Sequence, residues 1–220
     1  MNTSEKKDEL AVDRLFSSPV YVIEKPEFLQ VTKAVSKKFI NKRKTETDLN
    51  PMYPVYMTEN LNYDSEMLEF ANYIAQTAWN ILDEQGYAME MFRTYFTEMW
   101  CQEHHTMSLM ERHIHGNGAV ISGFYFIDCP KNSSKVIFHD SRDGKVIINL
   151  PEKDISKATY ASNMINFVPK NGMVIFTNAS LAHSFTRNES KKPMTFIHFN
   201  IAVAPVQAQQ SCNTKPAEII

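Results

Sequence analysis

Glu111-Arg112-His113-Ile114-His115-Gly116-Asn117-Gly118-Ala119-Val120-Ile121-Ser122-Gly123-Phe124-Tyr125-Phe126-Ile127-Asp128 is the stretch that decides the architecture. A short extended run ends in two histidines, glycines on either side of Asn117 turn the chain, and a second β-prone run follows. His113 and His115 stand at i and i+2, so on an extended segment their rings project from the same side. Far downstream His183 enters another β-prone segment, after the strand-like Met173-Val-Ile-Phe176 and a short crossing. A third imidazole arriving from a distant strand can close a three-ligand face with positions left open. Such open faces suit catalytic iron or zinc, whereas structural sites are usually closed by four ligands, often including cysteine.

Working outward, the rhythm from residue 91 onward is of short β-prone segments separated by turns. Strands are expected near 92–101, 111–115, 119–128, 135–139, 145–148, 164–168, 173–177, 183–187 and 194–203. Turn signals at Asp128-Cys-Pro130, Arg142-Asp143-Gly144 and Pro169-Lys-Asn171-Gly172 separate several of them. Upstream, Leu15 to Ile23 gives a β-rich run. Pro26 followed by Phe28, Val31, Val35 and Phe39 predicts a helix over 26–40. A second helix is expected over 64–85, capped by Asp64 or Ser65, striped by Met67, Phe70, Ile74, Ala78 and Ile81, and stopped by Gly86. Residues 41–60 carry two prolines and no period, and read as loop. The pattern is mainly β with flanking α: an antiparallel sandwich or jelly roll, helices outside. One domain is expected over 15–204, between a disordered 1–14 and a polar tail at 205–220.

Composition excludes several classes. A formal net charge of −2 offers no global field for nucleic acid or a membrane surface. Cys101, Cys129 and Cys212 are odd in number and widely spaced, so no disulfide framework is implied. There is no apolar leader at the N-terminus and no run long enough to span a bilayer. These features point to a reducing, cytoplasmic setting. His104 and His105 are adjacent, point to opposite faces of any strand, and read as surface or loop histidines.

Several motifs carry a family resemblance. The run His113-x-His115-x-Asn117-x-x-x-x-Ser122-Gly123-x-Tyr125 resembles a segment of the 2-oxoglutarate/Fe(II) oxygenases, of a type frequent in phages and marine bacteria. Leu15-Phe16-Ser-Ser-Pro19, Phe138-His-Asp140-Ser-Arg142, Pro169-Lys-Asn-Gly172 through Phe176, Leu181-Ala-His183 and Phe199-Asn200 are similar to further motifs of that family, in the same order. The resemblance covers most of residues 15–203. It implies a double-stranded β-helix (a cupin-like jelly roll), with Fe(2+) held by His113, His115 and His183. It also implies 2-oxoglutarate as co-substrate, dioxygen as reactant, and, for a viral chain, the host cytoplasm.

The chain departs from the wider family pattern at two positions. His115 stands where the triad usually has a carboxylate, which leaves one more positive charge on the metal and softens its identity between iron and zinc. Met194 stands where an arginine usually pairs with the far carboxylate of 2-oxoglutarate. Lys192, Arg187 and Arg142 are nearby substitutes, although lysine offers only a point charge where arginine offers a two-pronged fork. If Met194 faces the interior, alternation turns Phe196, His198 and Asn200 the same way, which nominates His198 and Asn200 as co-substrate or supporting contacts. Tyr125 could offer its phenol to the keto acid. Asn117, Ser122 and Arg142 are candidates for lining the site behind the ligands, and Asp140 and Arg142 could equally pair with each other.

Three readings follow. The leading one is a hydroxylase coupling decarboxylation of 2-oxoglutarate to succinate with oxidation of an unread C–H substrate. The second is a cupin-like three-histidine metalloenzyme that does not use 2-oxoglutarate. The third is a non-catalytic jelly-roll binding or virion-associated protein. Oligomeric state is not legible.

Overall fold

Ile121–Asp128 forms β5, and its composition explains its place. Seven of its eight residues are buried, because both faces of the strand are covered. Ile121, Tyr125 and Ile127 join one hydrophobic cluster, and Phe124 and Phe126 join another. A strand sunk between two cores reads as a continuous apolar run rather than an alternating one.

The computed structural model describes Ala11, residues 15–142, Lys145, Ile147 and residues 150–206. The strands are β1 (Val20–Glu24), β2 (Val55–Asn60), β3 (Phe92–His104), β4 (Met110–His113), β5, β6 (Val136–His139), β7 (Met164–Phe167), β8 (Met173–Asn178), β9 (His183–Phe185) and β10 (Met194–Pro205). Two helices, α1 (Leu29–Glu46) and α2 (Leu68–Glu84), interrupt the early strands. A six-stranded sheet runs β1-β8-β5-β10-β3-β2 and a four-stranded sheet runs β4-β9-β6-β7. Every pairing is antiparallel. This is the double-stranded β-helix, with helices against one sheet.

β10 sorts the two cores. Ile197, Phe199 and Ile201 face the helices with Met99, Cys101, Val174 and Phe176, while Met194 and Phe196 face the smaller sheet with Phe138 and Phe185. α2 buries Phe70, Ala71, Ile74, Ala78, Ile81 and Leu82. The preceding turn is capped by Asp64, whose side chain accepts from the Glu66 amide at 3.0 Å. Gly86 follows the helix at φ +93°, the left-handed region that favours glycine.

The structure corrects two expectations here. α1 runs to Glu46, beyond the expected end at residue 40. Lys42 and Lys44 extend from it to Glu59 and Glu103, so sheet contacts hold the extra turn. Residues 55–60 are strand, not loop: β2 pairs with the edge of β3, and that partner is remote in sequence. The strand expected over 145–148 falls partly outside the described residues, as do the segments expected to be disordered at either end.

Gly123 lies where β5 passes under β10. A Cβ built there would collide with the Phe199 ring and the Ile175 carbonyl oxygen. Gly123→Ala is therefore expected to lower stability by about 2 kcal/mol or more, a Tm drop of roughly 4–8 °C in a thermal melt. An unchanged melt would contradict this packing.

Candidate metal centre

β4 and β9 pair in the smaller sheet with His113 directly opposite His183. Their ring centroids lie 4.5 Å apart at 66°. His115 lies just past β4, where its amide donates to the Ala179 carbonyl at 3.0 Å and so anchors the turn beneath the ring. Its ring is 5.1 Å from that of His113 and 5.0 Å from that of His183. One potential ligand atom from each histidine falls within 4.8 Å of the others, close enough for a single cation to bridge. The donor set fits a borderline metal: three imidazoles, with no fourth His, Cys, Asp or Glu joining the group among the described residues.

Backbone carbonyls orient two of the rings. His113 Nδ1 lies 2.8 Å from the Glu111 carbonyl and His183 Nδ1 lies 3.1 Å from the Leu181 carbonyl. A carbonyl only accepts, so both Nδ1 atoms carry hydrogen and both Nε2 lone pairs are free. Burial pushes His183 down to about 3 and His115 down to about 4, with neighbouring histidines adding to the effect. Both rings are therefore neutral at pH 7, the form that ligates metals.

The facing wall of the larger sheet is built in rungs. Glu98, Asn200, Ser122 and Thr177 pair side by side across β3, β10, β5 and β8. The next rung is Trp100, His198, Phe124 and Ile175. Asn200 Nδ2 lies 3.1 Å from His115 Nδ1, and the His198 ring stacks on His115 at 4.6 Å. Phe124 stands edge-on to His183 at 5.2 Å. Ser122 Oγ, Thr177 Oγ1, Trp100 Nε1, His198 Nε2 and Asn200 Oδ1 are buried with no hydrogen-bond partner. Orphaned polar atoms gathered in one place call for a ligand, since each costs stability unless something pairs with it.

The other nominated residues lie elsewhere. Tyr125 points to the helix face of the sheet, where its hydroxyl donates to the Lys25 carbonyl at 2.9 Å, so it does not reach the histidines. The strand period was read as it is, but the inner face carries the even-numbered residues of β5. Asn117 is exposed in a turn at φ +54°. Arg142 is engaged bidentately by Asp140, Nε at 2.9 Å and Nη2 at 2.7 Å, with no described contact to the histidines. Arg187 donates to the Met107 carbonyl, and Lys192 lies exposed in the turn before β10. Met194 is fully buried with Phe185 and Phe196, so its position offers no cationic group. His104 is not a surface histidine but a buried one, its Nε2 2.9 Å from Gln102 Oε1.

Glu98, Trp100 and Thr177 escaped the sequence reading. Only the cross-strand register places them here, and no local signal marks it. A cavity of about 660 Å³ opens beside the edge strands β1 and β7, with Phe138, His139, Leu181 and Arg142 in its wall. None of the three clustered histidines lines it, although Leu181 carries the carbonyl that orients His183.

Residues 98–200, which include all three histidines, match the family described as "Putative 2OG-Fe(II) oxygenase". Among solved structures, the chain is similar to AviO1 from Streptomyces viridochromogenes, with a TM-score of 0.60, 14% identity, and coverage of 84% of this chain and 90% of that one. It is similar to a Pseudomonas putida prolyl-4-hydroxylase at 0.54 and 10%, covering 86% and 95%. It is also similar to HygX from Streptomyces hygroscopicus, solved with nickel, 2-oxoglutarate and hygromycin B, at 0.54 and 9%, covering 84% and 83%. At these identities the likeness is one of fold. No curated protein matches the sequence.

The buried neutral histidines set a pH dependence. His104, pushed down to about 3 by burial, and His183 stay uncharged in the fold, while in the unfolded chain each takes a proton near pH 6.5. The unfolded state therefore binds more protons below that pH. Stability of metal-free protein is expected to fall as pH drops from 6.5 toward 4, by on the order of 1.4 kcal/mol per pH unit for each such group. Chemical denaturation at pH 7.5, 6 and 5 measures it, and a flat profile would contradict neutral burial.

Proposed function

We propose that this chain is a member of the 2-oxoglutarate/Fe(II) oxygenase family, whose model matches residues 98–200, and that it holds iron through His113, His115 and His183. The observation that carries the reading is the convergence of three imidazoles from β4, the turn after it, and β9. The chain is a 2-oxoglutarate-dependent dioxygenase whose prime substrate is unassigned. When bound, iron and the keto acid supply oxidation of a C–H bond by dioxygen, coupled to decarboxylation of 2-oxoglutarate to succinate.

The chain's own groups have three tasks. Carbonyls of Glu111 and Leu181 hold two rings in the ligating tautomer. Phe124 and Phe138 shield His183 from water, at ring distances of 5.2 and 6.1 Å. Ser122 and Thr177, adjacent in register and unpartnered, are the proposed anchors for the keto acid, in place of the base that Met194 precludes. Neutral anchors suffice for a specific reason. Three uncharged ligands leave both positive charges of ferrous iron to be balanced, and a dianionic co-substrate balances them. Lys192, Arg187, His198 and Asn200 were also nominated for the co-substrate. Of these, His198 and Asn200 share the inner wall and remain in the proposal. The cavity beside β1 and β7, lined by both apolar and polar side chains, is the proposed entry for the prime substrate.

Anaerobic addition of Fe(II) and then 2-oxoglutarate is expected to raise a weak visible charge-transfer band, with succinate released on exposure to air. His183→Ala should lose the band. Its persistence in that variant would remove His183 from the ligand set. Ser122→Ala combined with Thr177→Val should weaken 2-oxoglutarate binding roughly 10²- to 10⁴-fold while Fe(II) binding holds, since hydrogen bonds to a charged group contribute about 1.5–3 kcal/mol each. Unchanged 2-oxoglutarate affinity would place the anchor elsewhere.

A further inference from the structure

A second cavity, of about 630 Å³, adjoins the one beside β1 and β7, and the two share Ser18, Ser141 and Leu181 in their walls. It lies against the turn from β8 to β9, where the Leu181 amide donates to the Asn178 carbonyl at 2.9 Å. Two carboxamides meet in its wall, Gln85 just past α2 and Asn178 at the end of β8. Gln85 Nε2 donates to Asn178 Oδ1 at 3.1 Å, and Asn178 Nδ2 donates to Gln85 Oε1 at 3.0 Å. Each amide therefore fixes the orientation of the other. Gln85 Nε2 also reaches the Tyr21 hydroxyl oxygen at 3.4 Å. One Asn178 hydrogen, a lone pair on each amide oxygen and the Tyr21 O–H are left over for a ligand. Tyr87 and Phe16 add aromatic rings to the wall, 57% and 98% exposed. No charged side chain stands among the described residues that line this cavity.

We infer that this second cavity holds an uncharged carbohydrate portion of the prime substrate, with Gln85, Asn178 and Tyr21 as its hydrogen-bonding partners. This rests on the reading of the adjoining cavity as the substrate entry, and it names the class of substrate. An ionic ligand fits poorly, because it would lose water here without meeting a counter-charge. An apolar ligand fits no better, because it would cover the two amides and the phenol and leave them unpaired. A sugar hydroxyl donates and accepts at once, so it matches a wall in which amide hydrogens, amide oxygens and hydroxyls are interleaved. The C–H faces of a sugar ring pack against aromatic rings, which Tyr87 and Phe16 supply. The volume suits a small ligand, for which pockets run from roughly 300 to 1,000 Å³. Ser18 and Ser141 line both cavities, and their hydroxyl oxygens lie 3.3 Å apart in an exposed contact that sugar hydroxyls can replace. A ligand can therefore run from this cavity into the next.

Titration of the intact, chelator-treated chain with a panel of sugars, followed by ¹H–¹⁵N NMR, tests the inference. The panel holds glucose, galactose, mannose and N-acetylglucosamine with their neutral di- and trisaccharides, and glucuronic and galacturonic acids as charged counterparts. At least one neutral member should shift the side-chain amide signals of Gln85 and Asn178 together with the backbone amide of Leu181, and the acids should bind at least tenfold more weakly. Gln85→Met, which keeps the length of the side chain and removes its amide, should weaken the neutral sugar by roughly tenfold. Tyr87→Ala should weaken it several-fold, and the exposure of Tyr87 spares the fold. No shift from any neutral member, or equal affinity for an acid, would overturn the inference. Undiminished sugar binding in Gln85→Met and Tyr87→Ala would also overturn it, and a lowered Tm in Gln85→Met would then leave the amide pair only a tie between α2 and β8. The titration needs no metal, so its outcome is separate from that of the histidines: a chain that releases no succinate from 2-oxoglutarate would sink the oxygenase reading and leave the sugar result standing.

Discussion

The antiparallel register that sets His113 opposite His183 is the constraint on which everything else depends. A one-residue slip of β9 against β4 would turn His183 to the outside of the smaller sheet and leave two histidines with nothing to complete them. Two features resist that slip. Phe185 and Val136 pair across β9 and β6 with their side chains in the inner core, and the His139 amide donates to the Ala182 carbonyl just ahead of His183. The turn after β4 is then pinned by the His115 amide on Ala179, so the third ring arrives from backbone geometry rather than from a flexible side chain.

The larger sheet contributes by being buried on both faces. Helices cover the face carrying Tyr125, Ile197 and Phe199, which leaves the opposite face free to be partly polar. That inner face changes character along β10: Met194 and Phe196 are packed among aromatic rings, whereas His198 and Asn200 stand beside the histidine cluster. The polar end is where the proposed cation and dicarboxylate would sit, and the apolar end holds the two sheets together. The missing arginine follows from this division, because its usual position falls in the apolar half.

Much of this was legible in the sequence because it is local. The apolar run of β5, the i and i+2 histidines, and the helix from Asp64 to Gly86 each announce themselves within a few residues. The motifs from His113 to Asn200 carry the resemblance to that family as well, and lie within the residues its model matches. What was missed is non-local. Residues 55–60 lack any period and become a strand only because β3 offers an edge. Tyr125 could face either way from sequence, because alternation gives two sets of residues without saying which set the helices cover, and its hydroxyl lies on the Lys25 carbonyl. Glu98 reads as an ordinary strand carboxylate until β3 is laid beside β10. His104 looked like half of a surface pair, and only the completed barrel shows it buried beside Phe196.

X-ray absorption at the iron edge of anaerobically loaded protein bears most directly on the ligand set. The account requires scattering from three imidazole rings, falling to two in His183→Ala. A spectrum fitted by oxygen donors alone, or one that His183→Ala leaves unaltered, would contradict it.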